Sequence, residues 1–167
     1  MSPLPSSQFP VPRSQFPVPS SQFLLIGYGN PLRSDDGVGQ VVADRLAGDG
    51  RFAATELIAC HQLLPEHAQR ISQVEGVVFV DADAGPQPGQ ITVREIGPDA
   101  SSSAGLIHDF TPQTLLAYAQ LLYGHAPPAT LITVSGFSFD HGEELSTGMT
   151  AVLPELLEQI QHLLVTS

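Results

Sequence analysis

From Phe23 onward, short apolar runs alternate with segments of helical periodicity, and only a few folds are compatible with this alternation. Residues 23–26, 77–80 and 130–134 are continuous apolar runs, the pattern of strands that are buried on both faces of a parallel sheet. Residues 56–59 and 91–96 are weaker strand candidates. Alternating strands and helices predict a mostly parallel sheet with helices on both faces. In such sheets the functional cleft lies beyond the carboxyl ends of the strands.

The helical segments are recognised by apolar residues three or four positions apart and by their start signals. The first is expected to bury a face made of Val38, Val41, Val42 and Leu46. The second opens near residue 65. The third has Thr111 as its N-cap and Pro112 as its first residue, and its predicted buried face consists of Leu115, Leu116, Ala119 and Leu122. The last begins near Ser146, and Pro154 is expected to kink or restart it.

The amino terminus has a different character, because the triplet Ser-Gln-Phe recurs every seven residues from Ser7 and is twice followed by Pro-Val-Pro. The prolines exclude a continuous helix, so this is not a coiled-coil heptad. We expect residues 1–21 to form a disordered tail rich in Pro, Ser and Gln, with an extended, polyproline-like character. Residues 22–167 are then expected to form one α/β domain.

Charge and cysteine content exclude several classes of function. The formal net charge is −11, there is no lysine, and no basic side chain follows Arg94. Nucleic-acid binding needs cations for phosphate contacts and is therefore not expected. Cys60 is the only cysteine, which excludes internal disulfides and zinc sites built from several cysteines. The chain has neither a secretory signal nor an apolar run long enough to cross a membrane, so a soluble cytoplasmic protein is expected.

The loop after the first strand, GYGNPLRSDDGVGQVV at residues 27–42, resembles a phosphate-binding turn but carries two acids. A dinucleotide fingerprint would need a third glycine where Leu32 stands, so that interpretation fails. Gly27 and Gly29 still permit a tight turn, and Asn30 and Pro31 sharpen it. One aspartate, Asp35, is expected to cap the following helix. A cap explains one aspartate better than two, so Asp36 is available for a ligand.

Two further loops supply candidate ligands. The run VVFV leads directly into Asp81, a carboxylate that is costly to desolvate at the end of a central strand unless it is paired, metal-bound or open to a cleft. Asp83, two residues later, is expected to be solvated. His108 lies in the loop that enters the third helix. Two carboxylates and one imidazole suit a borderline divalent ion such as nickel or zinc.

Other catalytic constellations fit less well. The stretch HGEE at residues 141–144 lacks the second histidine of a metalloprotease helix, and there is no G-x-S-x-G nucleophile elbow. Cys60 and His61 are neighbours, and on an extended segment they would point to opposite faces. We therefore expect Cys60 to be a small buried apolar residue rather than a nucleophile.

The stretch GYGNPLRSDDGVG resembles the signature G-x-G-N-x-L-x-x-D-D/E-x-x-G of the hydrogenase maturation endopeptidases, and the later features follow in the same order. The resemblance implies a single-domain, three-layer α/β/α sandwich around a five-stranded sheet. It implies an endopeptidase that removes the C-terminal extension of the [NiFe] hydrogenase large-subunit precursor after nickel insertion. Metal-contact roles would pass to Asp36, Asp81 and His108, with Asp36 and Asp81 as catalytic carboxylates.

The resemblance also carries expectations about binding. Gly29, Asn30, His61 and Gln62 would contact the substrate. The stretch CHQL stands in place of the Asp-Gly-Gly-Thr-like version of many members, and HQLLPE, at residues 61–66, resembles the branch that serves bidirectional NAD-linked hydrogenases. No permanently bound cofactor is expected, because the nickel would arrive on the substrate, and the enzyme is expected to be a monomer. One alternative is a non-catalytic metal-binding or assembly module that uses the same loops, and another is a small-molecule hydrolase, which would need a preformed deep pocket.

Overall fold

The computed structural model describes residues 22–101 and 110–166. Five strands and four α-helices follow one another along this part of the chain in the order β1 Phe23–Tyr28, α1 Val38–Ala47, β2 Thr55–Cys60, α2 His67–Ile71, β3 Gly76–Asp83, β4 Ile91–Ile96, α3 Pro112–Tyr123, β5 Ala129–Ser135 and α4 Thr147–Thr166, with short 3-10 helices at Ser34–Gly37 and Gly50–Phe52. All five predicted strands are present. The predicted tail, residues 1–21, lies outside the described residues.

The strands form one sheet in the order β2-β1-β3-β5-β4. The first four strands in this order are parallel, and only β4 runs antiparallel, against β5. The four parallel strands therefore end at the same edge of the sheet, and the loops that follow β1, β2 and β3 meet there. β3 lies at the centre, as the position of Asp81 predicted.

Helices cover both faces of the sheet, which confirms the three-layer α/β/α arrangement. On one face, α1 and α4 pack against inward side chains that include Leu25, Val78, Val80, Ile132 and Val134. On the other, α2 and α3 pack against Leu24, Ile26, Val77, Phe79 and Leu131. Successive residues of one strand thus enter different cores, which is why the central strands β1 and β3 carry apolar runs rather than an alternating pattern.

One expectation about the helices is wrong, and a second is narrowed. Leu122 is 59% exposed, so the apolar pattern of α3 extends past its buried face. Helical periodicity identifies apolar positions, but the neighbouring elements decide which of them are covered. The last helix was expected to kink or restart at Pro154; it does not restart, because α4 runs continuously through that residue, and the kink stays a prediction. Its start is as expected: Ser146 Oγ accepts a hydrogen bond from Met149 N at 3.1 Å.

The third helix begins as predicted. Thr111 is its N-cap and accepts a hydrogen bond from Thr114 N, and Pro112 is its first residue. No helix within residues 22–101 and 110–166 has the length and apolar character that a membrane span requires.

Candidate functional site

A cleft of about 480 Å³ opens at the carboxyl edge of the sheet, within the size range of ligand-binding sites. Hereafter "the cleft" means the space lined by Tyr28, Gly29, Asn30, Asp36, His61, Gln62, Leu63, Asp81 and Phe110. It gathers the loops after β1, β2 and β3. All the predicted site residues within the described part of the chain line it, although they are separated by up to 52 positions in the sequence.

The turn between β1 and α1 is shaped by glycines that allow close backbone approach. Gly29 has a φ of +141°, and a Cβ there would lie 1.9 Å from the carbonyl oxygen of Asp36. A Cβ at Gly27 would lie 1.8 Å from the carbonyl oxygen of Gly39 in α1. Any side chain at either position would push the helix away from the strand. The glycines that resemble a phosphate-binding motif therefore bring Asp36 to the cleft.

Asp36 is held in a defined orientation. Its Oδ2 accepts a hydrogen bond of 2.8 Å from Asn30 N. The Asn30 side chain in turn accepts from Leu32 N at 2.9 Å, and Gln40 donates to the Gly29 carbonyl at 2.8 Å. Within the described residues Oδ1 of Asp36 accepts no hydrogen bond, so one carboxylate oxygen is left for a ligand.

Asp35 does not cap the following helix, contrary to expectation. It is fully buried and turned toward the loop between β5 and α4. Its carboxylate accepts hydrogen bonds from Phe137 N at 2.8 Å, Ser138 N at 3.0 Å and both N and Oγ of Ser146 at 2.8 Å. Burial would raise its pKa, but these hydrogen bonds favour the charged form and lower the pKa on balance. The adjacent acids thus have separate roles: Asp35 joins two loops, and Asp36 faces the cleft.

Asp81 is placed by the register of the sheet. Gly27 pairs with Val80 and Tyr28 pairs with Cys60, so Tyr28 lies between Cys60 and Asp81 in a row across three strands. Side chains in this row share the face of the sheet that α2 and α3 cover. The row explains why a tyrosine hydroxyl and a carboxyl group meet at the floor of the cleft.

The Asp81 carboxyl has a pKa raised to about 7. Burial is the main cause, and the negative charges of Asp36 and Asp83 act in the same direction. The hydrogen bond from Ala82 N, 2.8 Å long, and the Tyr28 hydroxyl oppose the shift. The pKa of Tyr28 is strongly raised as well, first by burial and second by the negative charge of Asp81. A carboxyl group that titrates near neutral pH can both accept and donate a proton.

The sequence predicted a solvated Asp83, and the structure corrects this. It is partly buried, accepts hydrogen bonds from Ser135 Oγ at 2.6 Å and Gly85 N at 2.9 Å, and so ties the end of β3 to the end of β5. Burial raises its pKa, but these hydrogen bonds, with Ser135 first, lower it on balance. Asp83 is therefore a structural residue beside the cleft.

The loop after β2 forms one wall of the cleft. His61 and Gln62 are exposed and line it, as expected for residues that contact a substrate. Cys60 precedes them and is only partly buried, which corrects the expectation of a buried residue. It packs at the edge of the core under α2 and α3. Burial raises the pKa of its thiol to about 11, so the reactive thiolate is scarce at neutral pH.

His108 lies outside the described residues, so its role stays a prediction. Phe110, two positions later, lines the cleft. Within residues 22–101 and 110–166, no three His, Cys, Asp or Glu side chains are close enough to hold a metal ion. The described part of the cleft thus supplies two carboxylates, Asp36 and Asp81, whose charges interact.

The sequence analysis missed three residues that line the cleft: Tyr28, Leu63 and Phe110. Tyr28 carried a signal, because it lies two residues after the predicted strand at residues 23–26 and shares the parity of Leu24 and Ile26. Residues at the carboxyl ends of parallel strands face the functional edge of the sheet. Leu63 and Phe110 carried no comparable signal in the sequence.

Comparison with known proteins finds similarity at the level of structure alone. No family model matches the chain, and no curated protein matches its sequence. A hydrogenase 2 maturation peptidase from a Thaumarchaeota archaeon aligns with 87% of this chain and 99% of its own, at 22% identity and a TM-score of 0.67.

Two further solved structures give the same result. The [NiFe] hydrogenase maturation protease HycI from Thermococcus kodakarensis covers 86% of this chain and 92% of its own, at 23% identity and a TM-score of 0.69. The hydrogenase maturating endopeptidase HybD from E. coli covers 83% and 89%, at 20% identity and a TM-score of 0.65. At these identities the likeness shows that the chain has the same fold.

Proposed function

We propose that this protein is an endopeptidase that removes the C-terminal extension of a nickel-loaded [NiFe] hydrogenase large-subunit precursor. The observation that carries the proposal is the meeting of Asp36 and Asp81 in one cleft at the carboxyl edge of the sheet. The fold is shared with proteins named as hydrogenase maturation proteases, and the turn that holds Asp36 has the glycine and aspartate pattern that the resemblance assigns to that family.

The two carboxylates suit different tasks. Asp36 has one oxygen fixed by Asn30 N and the other available, as a ligand to a substrate-borne cation would require. Asp81, with a pKa of about 7, can take a proton from an attacking water and return it to the leaving amine near neutral pH. Nickel held by the precursor would bind between them, with His108 as the third ligand, and would position the scissile peptide.

The exposed wall of the cleft is assigned to partner choice. His61 and Gln62 are exposed and line the same cleft as the two carboxylates, so they can contact the substrate without taking part in the chemistry. The CHQL sequence favours the precursor of a bidirectional, NAD-linked hydrogenase. We further propose that the enzyme works as a cytoplasmic monomer, holds no resident cofactor and binds no nucleic acid.

The test is conversion of purified precursor, with and without nickel, followed by mass measurement of the released peptide. Asp36→Ala, Asp81→Ala and His108→Ala are each expected to slow conversion by about 100-fold or more, the scale of a lost acid-base or ligand group. Asp44→Ala, which removes an exposed acid from α1, is the matched control and should convert precursor normally.

Nickel dependence provides the second arm. Nickel-free precursor should resist cleavage by the unaltered enzyme, and a chelator removed before the assay should leave activity intact. Rapid cleavage of nickel-free precursor, or full activity of His108→Ala, contradicts the proposed role of the metal. A chain that binds nickel-loaded precursor and never cleaves it is a non-catalytic assembly module instead.

A further inference from the structure

Helix α3 carries an exposed apolar face that no part of the proposed chemistry uses. Its twelve residues, Pro112–Tyr123, include no charged side chain, in a protein whose net charge is −11. The exposed side chains are those of Gln120 and of four large apolar or aromatic residues, Tyr118, Leu121, Leu122 and Tyr123, and Leu121 is 81% exposed. These four apolar or aromatic residues are called the α3 face below. Solvated helix faces normally carry charge, so this composition is typical of a surface that meets another protein.

The α3 face is continuous with the cleft. Phe110 lines the cleft, and its ring contacts that of Tyr118 edge-on, with centroids 5.2 Å apart. From there the face runs along α3, which begins near the carboxyl edge of the sheet and leads back to the start of β5 at the opposite edge. Twelve helical residues span about 18 Å. A protein whose C-terminal segment entered the cleft would therefore lie beside the α3 face.

The size of the α3 face favours a transient partner over a second copy of this chain. From the exposed fractions, the four side chains offer roughly 400 Å². A stable homodimer needs about 800 Å² from each subunit. A substrate held at the cleft already buries part of its surface there. A few hundred Å² of additional buried surface on the α3 face would then be enough for a weak, reversible complex.

We propose that the α3 face is the docking surface for the folded body of the protein substrate, on an apolar, uncharged patch next to the segment that is cleaved. This proposal rests on the proposed function and adds a second contact that is separate from the chemistry. The α3 face raises affinity for the whole precursor and leaves the rate of the bound complex unchanged. It adds selectivity for one protein substrate to the selectivity proposed for His61 and Gln62.

The experiment compares the unaltered chain with a Leu121→Gln, Leu122→Gln double variant. Glutamine keeps helix propensity while removing the apolar surface. Val165→Gln, at a 71% exposed apolar position on α4, is the matched control. We expect the double variant to raise KM for precursor conversion about tenfold and to weaken binding of nickel-free precursor equally, with kcat unchanged. The control should match the unaltered chain in all three quantities.

Other outcomes separate the two proposals. Unchanged KM and binding in the double variant, with normal cleavage by the unaltered chain, overturn the docking surface and leave the proposed function standing. Weaker binding of a precursor that the unaltered chain binds but never cleaves supports the docking surface and removes the proposed function. If the unaltered chain sediments as a dimer and the double variant as a monomer, the α3 face pairs two copies and the docking proposal is wrong.

Discussion

Replacing Asp35 should destabilise the fold far more than replacing a helix cap. In the Asp35→Ala variant, four donors lose their acceptor: the N–H groups of Phe137, Ser138 and Ser146, and the Ser146 hydroxyl. A donor left without an acceptor on burial costs about 1–3 kcal/mol. Ser138 and Ser146 are only partly buried, so water can satisfy some of these groups. We therefore expect a loss of about 3–5 kcal/mol in the free energy of unfolding, a large part of the total for a domain of this size.

The pH dependence of the loss identifies its origin. The pKa of Asp35 is lowered in the folded state, so its contribution is present above the unfolded value near 4 and disappears as the pH falls through the folded value. Asp35→Asn keeps one accepting oxygen but loses the charge, and we expect it to cost about 2–3 kcal/mol at pH 7. The difference in stability between the Asp35→Asn variant and the unaltered chain should shrink at about pH 3.5.

The assay is urea denaturation followed by circular dichroism at both pH values, with Asp44→Ala as the control. Equal m-values would show that the variants expose the same surface on unfolding. A loss of about 1 kcal/mol or less for Asp35→Ala is what a simple N-cap would give. That result, or a loss independent of pH, would refute the argument that this carboxylate joins the two loops.

Four further outcomes are expected. Asp81→Asn should become more stable relative to the unaltered protein as the pH rises, because the raised pKa means that the folded chain holds a proton which the unfolded chain releases. Between about pH 5.5 and 8 the unaltered protein should lose roughly 2 kcal/mol of unfolding free energy relative to the variant. A difference in urea stability that stays constant over this pH range would contradict the prediction. Cys60→Ser should keep most precursor cleavage and lose some stability, whereas a well-folded but inactive variant would make the thiol a nucleophile. Deleting residues 1–20 should leave thermal unfolding and precursor conversion unchanged; a fall in conversion at equal stability would make the tail a docking element. His61→Ala and Gln62→Ala should change the ranking of different hydrogenase precursors, and an equal loss of turnover on all of them would remove the role in partner choice.

The strands and the layer arrangement could be predicted because burial on both faces of a parallel sheet demands continuous apolar runs. Residues 77–80 could hardly lie anywhere but in a central strand, and Asp81 follows them at its carboxyl end. The strand at residues 91–96 was a weaker prediction for a physical reason. It is the antiparallel edge strand and three of its six residues are exposed, so its sequence does not need to be continuously apolar.

The site could be predicted only in part, because spacing along the chain shows that a residue ends a strand and not what its side chain meets. Asp35 and Asp36 are neighbours with the same chemistry, yet one is buried against a loop more than 100 positions away and the other faces the cleft. Likewise, the periodicity that marks Leu115 and Leu122 as apolar cannot tell which of them the sheet covers. Those distinctions depend on contacts between elements distant in sequence, and local pattern carries no information about them. The sequence determines which chemical groups are present, and the tertiary structure determines which other groups each side chain contacts.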